Sequence, residues 1–231
     1  MTTSTSGTYL YNPGLGEITL FAFNLCGIRS PAILQEHMTS ARMAANMMLG
    51  RWSSEGVNLW AVDLVTVPLV QGQSTYTMDP NTIVMLDSYI TINSGGAAID
   101  RLILPISRTE YASYPNKQQQ GFPTTVWMDR LLSPTFSLWP VPDGNEASFN
   151  YYRVRQIQDS NFTSGQLVEI PYYFLEAFAY GLAQRLAMIW AADKVALLKP
   201  LADESYAIAV AQNIETSQYY VSPMLQGYWT P

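Results

Sequence analysis

Apolar residues in the first quarter of the chain recur at helical spacing. Leu34, Met38, Ala41, Ala45, Met48 and Trp52 follow one another at alternating steps of four and three, which places them on one face of a helix. Ser30 is a capping residue type, Pro31 suits a first helical position where its missing N–H has no partner to lose, and Gly56 is a natural stop. The pattern predicts a helix over 30–56, with Glu36, Ser40 and Asn46 off the stripe. A shorter apolar stretch, Ile18 to Ile28, fits a helix or a strand, and reads better as a helix ended at Gly27, because connections between paired helices are short.

From Trp60 to Gln158 the pattern changes to short runs rich in Val, Ile, Thr, Tyr and Trp, divided by Pro, Gly, Asn and Asp. These are strand signals at the intervals of a sandwich or barrel, six or seven strands in all. Val65, Val67 and Leu69 alternate with Thr66 and Pro68. Leu86, Ser88, Ile90 and Ile92 alternate with Met85, Asp87, Tyr89 and Thr91, and Asn93 to Gly96 form a turn before Ile99 to Ile106, a hairpin with a long apolar second arm. Val126 to Arg130 and Phe136 to Trp139 make a second hairpin, and Phe149 to Ile157 follows the Pro142-Asp143-Gly144 turn. Between the hairpins, Ser107 stands three residues before Glu110 at the spacing of a capping box, and Pro115 to Pro123 is a polar loop suited to variable contacts.

After Pro171 the helical period returns. Leu175, Phe178, Ala179, Leu182, Leu186, Ile189 and Trp190 form a wide apolar stripe, with Glu176 near its start and Lys194 and Lys199 toward its end, as the helix dipole favours. Pro200 is expected to break or kink this helix. A last helix over 201–217 would present Ala207, Val210, Ala211 and Ile214 on one side. The order is thus helices, strands, helices. Because both helical ends carry a stripe that needs a partner, the expected fold is α+β: a bundle of N- and C-terminal helices with an antiparallel β-sandwich or barrel lobe inserted. The divisions this implies are 1–60 for the first helical part, 61–165 for the sandwich, 166–218 for the helices that complete the bundle, and 219–231 for a C-terminal tail.

Composition narrows the class. Hydrophobic residues make up 48% of the 231 residues, enough to bury a core, while charged residues are only 13%, about half of the usual ~25%. Much of the surface must be uncharged or covered. A membrane is not the expected cover: the apolar run Tyr172 to Ala192 carries Glu176, Gln184 and Arg185, which a span of about 20 residues would exclude. Met1 to Tyr11 is polar and lacks a basic, then apolar, leader pattern, so the protein is expected to stay in the cytoplasm of the cell that makes it. The net charge of −6 is the wrong sign for a protein that grips DNA phosphates.

Catalytic patterns are lacking, and no enzyme activity and no cofactor are expected. His37 is the sole histidine and has no ligand-spaced partner; Cys26 is the sole cysteine, best read as a small core hydrophobe. Gly14 and Gly16 make a G-x-G without the third glycine of a dinucleotide loop. Asp79, Asp87, Asp100, Asp129, Asp143 and Asp159 sit mostly at turns and strand ends, where aspartate serves the backbone. In the pairs Asp100-Arg101 and Asp129-Arg130 the neighbours would point to opposite faces of a strand. The positive anomaly is aromatic content, 13%, which together with charge depletion suggests subunit contacts. Tyr219, Tyr220, Met224, Leu225, Tyr228 and Trp229 lie in a terminal stretch with no periodicity. Such a tail either packs back on its own chain or docks on a neighbour.

Several ordered stretches resemble a known family. Arg51-Trp52-Ser53-Ser54-Glu55-Gly56-Val57-Asn58-Leu59-Trp60, then Val67 to Gln73 with Tyr76, Asp100-Arg101, Pro105 to Arg108, Trp127 to Arg130, Leu138-Trp139-Pro140, Tyr151-Tyr152-Arg153 and Glu176-Ala177 with Gly181 to Ala183 are similar in order and spacing to head-to-tail adaptor proteins of short-tailed phages, also called connector or tail tubular proteins. The likeness spans about residues 42–198. It implies a structural virion protein, a twelve-subunit ring that binds the portal on one side and the tail nozzle or tail tube protein on the other, located at the portal-proximal end of the tail and assembled in the host cytoplasm. Genomic DNA would pass through the lumen without specific binding, and the acidic balance suits that, since Asp203, Glu204 and Glu215 could form a lumen wall that repels phosphate. The tail from Tyr219 to Trp229 would order on the portal or a neighbour. The alternative from another class is a carbohydrate-binding or hydrolytic tail module built on the sandwich.

Overall fold

A computed structural model describes residues 7–9, 11–94, 97–162 and 165–214. The chain begins with helix α1 (Leu15–Leu25) and a 3₁₀ turn (Ser30–Ala32), followed by α2 (Gln35–Glu55). Eight strands follow: β1 (Val62–Pro68), β2 (Thr75–Thr77), β3 (Thr82–Ser94), β4 (Ala97–Leu102), β5 (Leu104–Pro105), then, after the short helix α3 (Arg108–Ser113), β6 (Thr125–Asp129), β7 (Thr135–Trp139) and β8 (Glu146–Arg155). Helices α4 (Leu175–Trp190) and α5 (Val195–Gln212) complete the described chain. The fold is α+β, as expected, with two open four-stranded sheets and no closed barrel among the described residues.

The helices share one core. Ala41, Ala45, Met48 and Trp52 of the predicted α2 stripe are buried against Phe174, Phe178, Leu182 and Leu186 of the C-terminal half and against Phe23 of α1. The start of α2 differs from expectation. Ser30 and Pro31 open a separate 3₁₀ turn, and α2 begins only after Leu34, whose backbone N–H donates to Nδ1 of His37 at 3.0 Å. Leu34, the first residue of the expected stripe, is accordingly 58% exposed. Gly56 ends the helix with φ +75°, a conformation that costs a residue with a Cβ roughly 1 kcal/mol or more.

In the sandwich, one sheet runs β1-β8-β3-β4 and the other β2-β7-β6-β5. Both predicted hairpins form, β3 with β4 and β6 with β7, and their inner faces meet over Tyr76, Ile90, Phe136, Leu138, Phe149 and Tyr151. The long apolar arm expected from Ile99 to Ile106 does not exist as one strand. Ile103 is buried between the sheets, whereas Ile99, Leu102 and Leu104 are exposed. The chain uses Ile103 to change sheets: its N–H donates to the Ser88 carbonyl in one sheet, and the N–H of Leu104 to Thr124 in the other. An apolar run without alternation cannot reveal such a crossing.

First and last strands lie side by side, β1 pairing antiparallel with β8 from Val62 opposite Val154 to Pro68 opposite Ser148. The chain therefore enters and leaves the sandwich at one place. There Asn58 Nδ2 donates to the Arg155 carbonyl at 2.7 Å, Trp60 Nε1 to the Glu169 carbonyl at 3.0 Å, and Ser160 N to Asn46 Oδ1 at 2.7 Å. These bonds tie the ends of the lobe to α2 and to the segment before α4.

The C-terminal helices depart from expectation in phase. The break falls at Ala191, with φ −151° and ψ 62°, and Pro200 lies inside α5. The buried residues of α5 are Leu198, Ala202, Ser205 and Ala209, spaced four, three and four. The expected face is only partly covered: Val210 packs on the helical core, whereas Ala207 and Ala211 are exposed and Ile214 is 67% exposed. On α4, Ile189 is exposed as well, while Trp190 stacks on His37 with ring centroids 4.3 Å apart.

Candidate functional site

The chemistry-bearing side chains of the described residues are bound into structural roles. His37 accepts from Leu34 N–H and lies between the rings of Phe23 and Trp190. Cys26 is buried, its thiol donating to the Ala183 carbonyl at 3.3 Å, and burial raises its pKa to about 11. Gly14, of the G-x-G, precedes the first turn of α1, where its N–H donates to Glu17 Oε2. Among the described residues no group of three His, Cys, Asp or Glu is placed to hold a metal ion, and no helix is long and apolar enough to cross a membrane.

Three of the aspartates, Asp79, Asp100 and Asp143, are likewise bound into structural roles. Asp79 accepts from the N–H of Asn81 at 2.9 Å and from Arg153 at 3.0 Å, and the first of these, then the guanidinium, holds its carboxyl below the usual range. Asp100 accepts from Thr91 Oγ1, Asp143 from Asn145. Arg101 lies over the Phe122 ring, away from the Asp100 contact, as two successive strand residues should. Arg153, nearly buried, is clamped between Asp63 at 2.7 Å and Asp79. Hydrogen bonding to Asp63 raises its pKa against the desolvation. Asp63 and Asp79 are thus both paired with Arg153, the arrangement of a structural ion-pair network.

Besides a polar cleft of about 570 Å³ lined by Asp63, Asp79, Arg153, Arg155 and Asp159, the helical lobe carries two largely apolar grooves. One groove of about 860 Å³ runs between α1, the turn before α4, and α5, with Phe21, Tyr172, Tyr173 and Ile208 in its walls. Phe21 is 46% exposed and Tyr172 72%. The sequence signal for it is that α1 carries apolar residues off its buried face: Ile18, Ala22 and Phe23 are buried while Leu20 and Phe21 are exposed. A second groove, about 560 Å³, is lined by Val57, Leu59, Tyr206, Ala207, Val210 and Ile214 among others. On the sandwich, Leu102 and Leu104 at the sheet crossing and Leu132 in the β6–β7 turn are strongly exposed. Isolated exposed leucines mean little, but grooves of this size with aromatic walls mark contact surfaces.

Of the residues proposed from sequence, Asp203 and Glu204 are exposed on α5. Asp203 lines a small cleft with Arg51 and Arg185, so its charge is partly balanced. Glu215, Tyr219, Tyr220, Met224, Leu225, Tyr228 and Trp229 lie outside the described residues.

The apolar grooves of the helical lobe are surfaces suited to contact with other chains. The SU10 adaptor protein family model matches residues 29–222, from the 3₁₀ turn before α2 through both lobes and past α5. No curated protein matches the chain. With most of its length covered, and with motifs in the order found in phage head-to-tail adaptors, the chain belongs to the SU10 adaptor protein family.

Proposed function

We propose that the protein is a structural, non-enzymatic component of the virion, a ring of about twelve copies that links the portal to the tail nozzle and forms part of the DNA conduit. The carrying observation is the family match over residues 29–222, and the apolar grooves on the helical lobe support it by supplying surface for neighbours. Asp203, Glu204 and Glu215 contribute an acidic wall that repels phosphates over a screening length of ~8 Å, so DNA slides rather than binds. The aromatic residues from Tyr219 to Trp229 order on the portal in the assembled particle.

The sandwich offers little to a carbohydrate. Tyr111 stacks on Trp127 and Tyr114 on Trp139, with centroids 5.1 and 3.9 Å apart, so these rings turn faces to one another that a sugar would need.

Light scattering on the purified protein, alone and then with a cognate portal, tests the proposal. A portal-dependent assembly with the mass of a ring is expected; a monomer indifferent to the portal would overturn it. Charge reversal at Asp203 and Glu204 tests the wall separately, and unchanged DNA retention and ejection would remove that part.

A further inference from the structure

The groove between α1, the turn before α4, and α5 carries charge of one sign. Phe21, Tyr172, Tyr173 and Ile208 give it apolar walls, Glu17 and Glu176 line it as well, and no lysine or arginine does. Both glutamates are exposed, and neither pairs with a cation among the described residues. An aromatic and apolar surface with acidic groups in its lining is complementary to an apolar projection that carries a cation. The same chain has such a projection on its other lobe. The turn between β6 and β7 reads Arg130-Leu131-Leu132-Ser133 and is exposed throughout, whereas turns of this length are ordinarily polar. The sandwich has no use for these leucines, because its core is filled from Val126, Phe136 and Leu138 on the flanking strands. Leu132 is 100% exposed, so the turn does not enter the groove of its own chain. Arg130 has no ion-pair partner among the described residues, and Asp129 before it is half-buried in β6.

We infer that Leu131 and Leu132 of one copy dock into this groove on a second copy, with Arg130 set against Glu17 and Glu176. The occupant is a second copy because the complement of the groove, in apolarity and in charge, stands on the chain itself at a place that leaves its own groove open. The two surfaces differ, so the contact is heterologous. Each copy gives its turn to one neighbour and receives the turn of another, and such contacts close as a ring or continue as a filament. Closure as a ring rests on the function proposed above; the pairing of turn with groove does not. The contact is an anchor within a wider interface, since stable association buries more than about 1,000 Å².

The test is disulfide trapping between two variants of the full chain. Gln212→Cys, in the groove lining, and Ser133→Cys, beside the leucines, alter exposed positions and leave every apolar side chain in place. Tagged Gln212→Cys mixed with untagged Ser133→Cys and mildly oxidised should give mixed dimers several-fold in excess of those formed with tagged Met43→Cys, an exposed position on α2. Cys26, buried with a thiol pKa of about 11, stays out of the exchange. Mixed dimers no more abundant than in the control would overturn the inference and leave the groove to a different partner. A predominance of Gln212→Cys dimers would overturn it too, by showing that the groove faces its own counterpart. Charge gives an independent reading. Arg130→Glu in the Ser133→Cys chain should cut the mixed yield several-fold, and Glu17→Arg with Glu176→Arg in the Gln212→Cys chain should restore it; a yield indifferent to these charges would count against the contact. Trapping accumulates a weak contact in the free protein, so its outcome is separate from the portal-dependent assembly that tests the ring.

Discussion

Arg155 and Glu169 meet in a two-point ion pair, Nη1 to Oε2 at 2.9 Å and Nη2 to Oε1, that joins the end of β8 to the segment leading into α4. The same carboxylate accepts from Gln158 N–H at 2.8 Å, and the carbonyl of Glu169 receives the Trp60 indole. Both side chains are 24% exposed, so the pair is better shielded than Arg51 and Glu55, where the arginine is 65% exposed. Glu169→Ala should therefore cost about 1–2 kcal/mol in urea unfolding, and Arg51→Ala less than about 0.5 kcal/mol. Equal losses would mean that the seam between sandwich and helices does not depend on this pair.

Acid should loosen the same seam. The Arg155 hydrogen bond outweighs desolvation and holds the Glu169 carboxyl below its ordinary 4.5. Asp79 is held below 3.8 by Asn81 N–H and then by Arg153. A carboxyl lowered in the folded state contributes stability that is fully present above its unfolded value and is lost as pH falls through the folded one. The urea midpoint should accordingly be flat near neutrality and fall below about pH 4.5. Glu169→Gln should flatten that fall, and an unaltered profile would assign acid sensitivity to other groups.

Helices α2 and α4 approach closely at Gly181. A Cβ built there would lie 2.7 Å from Met48 Sδ, and Met48 is only 2% exposed, with only a small cleft beside it to move into. Gly181→Ala gains about 1 kcal/mol of helix propensity and loses about 1–3 kcal/mol to overpacking, for a net loss. In a Met48→Ala background the clash disappears and only the gain remains. The double-mutant cycle should therefore show coupling above about 0.5 kcal/mol; additivity would show that the methionine relaxes without strain.

The misreadings have physical causes in particular residues. The α2 stripe was legible because Ala41, Ala45, Met48 and Trp52 keep one phase over three turns. The face of α5 was not, because starting the helix after Pro200 drops Leu198, the residue that sets the phase of Ala202, Ser205 and Ala209. Periodicity without Leu198 picks out Ala207, Val210 and Ala211, which line a groove instead. That misassigned stripe was itself informative: apolar residues on two faces of one helix signal a core contact and a second partner. The seam at Arg155 and Glu169 could not be read at all, since no local pattern reports a contact fixed by the folding of both lobes.

Cys26 should resist modification until the helical core opens. With a thiol pKa of about 11, its thiolate fraction at pH 8 is on the order of one in a thousand, and the thiolate is the reactive form. Native protein should leave a disulfide reagent unreacted over hours, and urea above the unfolding midpoint should release one thiol per chain. Prompt reaction in native buffer would mean that α1 detaches from α4 without global unfolding.

Pro200 gives the last prediction. It lies on an exposed part of α5, inside the helix, where it has no N–H to give the carbonyl of Ala196. Pro200→Ala restores that donor and improves propensity by about 3 kcal/mol, while enlarging the freedom of the unfolded chain by about 0.4–1 kcal/mol. Strain already relieved by the helix reduces the first figure, so a net gain of about 1–2 kcal/mol in urea unfolding is expected. Such a gain, with an unchanged m-value, would identify Pro200 as an interruption that the packing of Leu198 and Ala202 overrides. A loss would mean that the ring contributes contacts of its own, and the phase of α5 would then owe its setting to the proline rather than to Leu198.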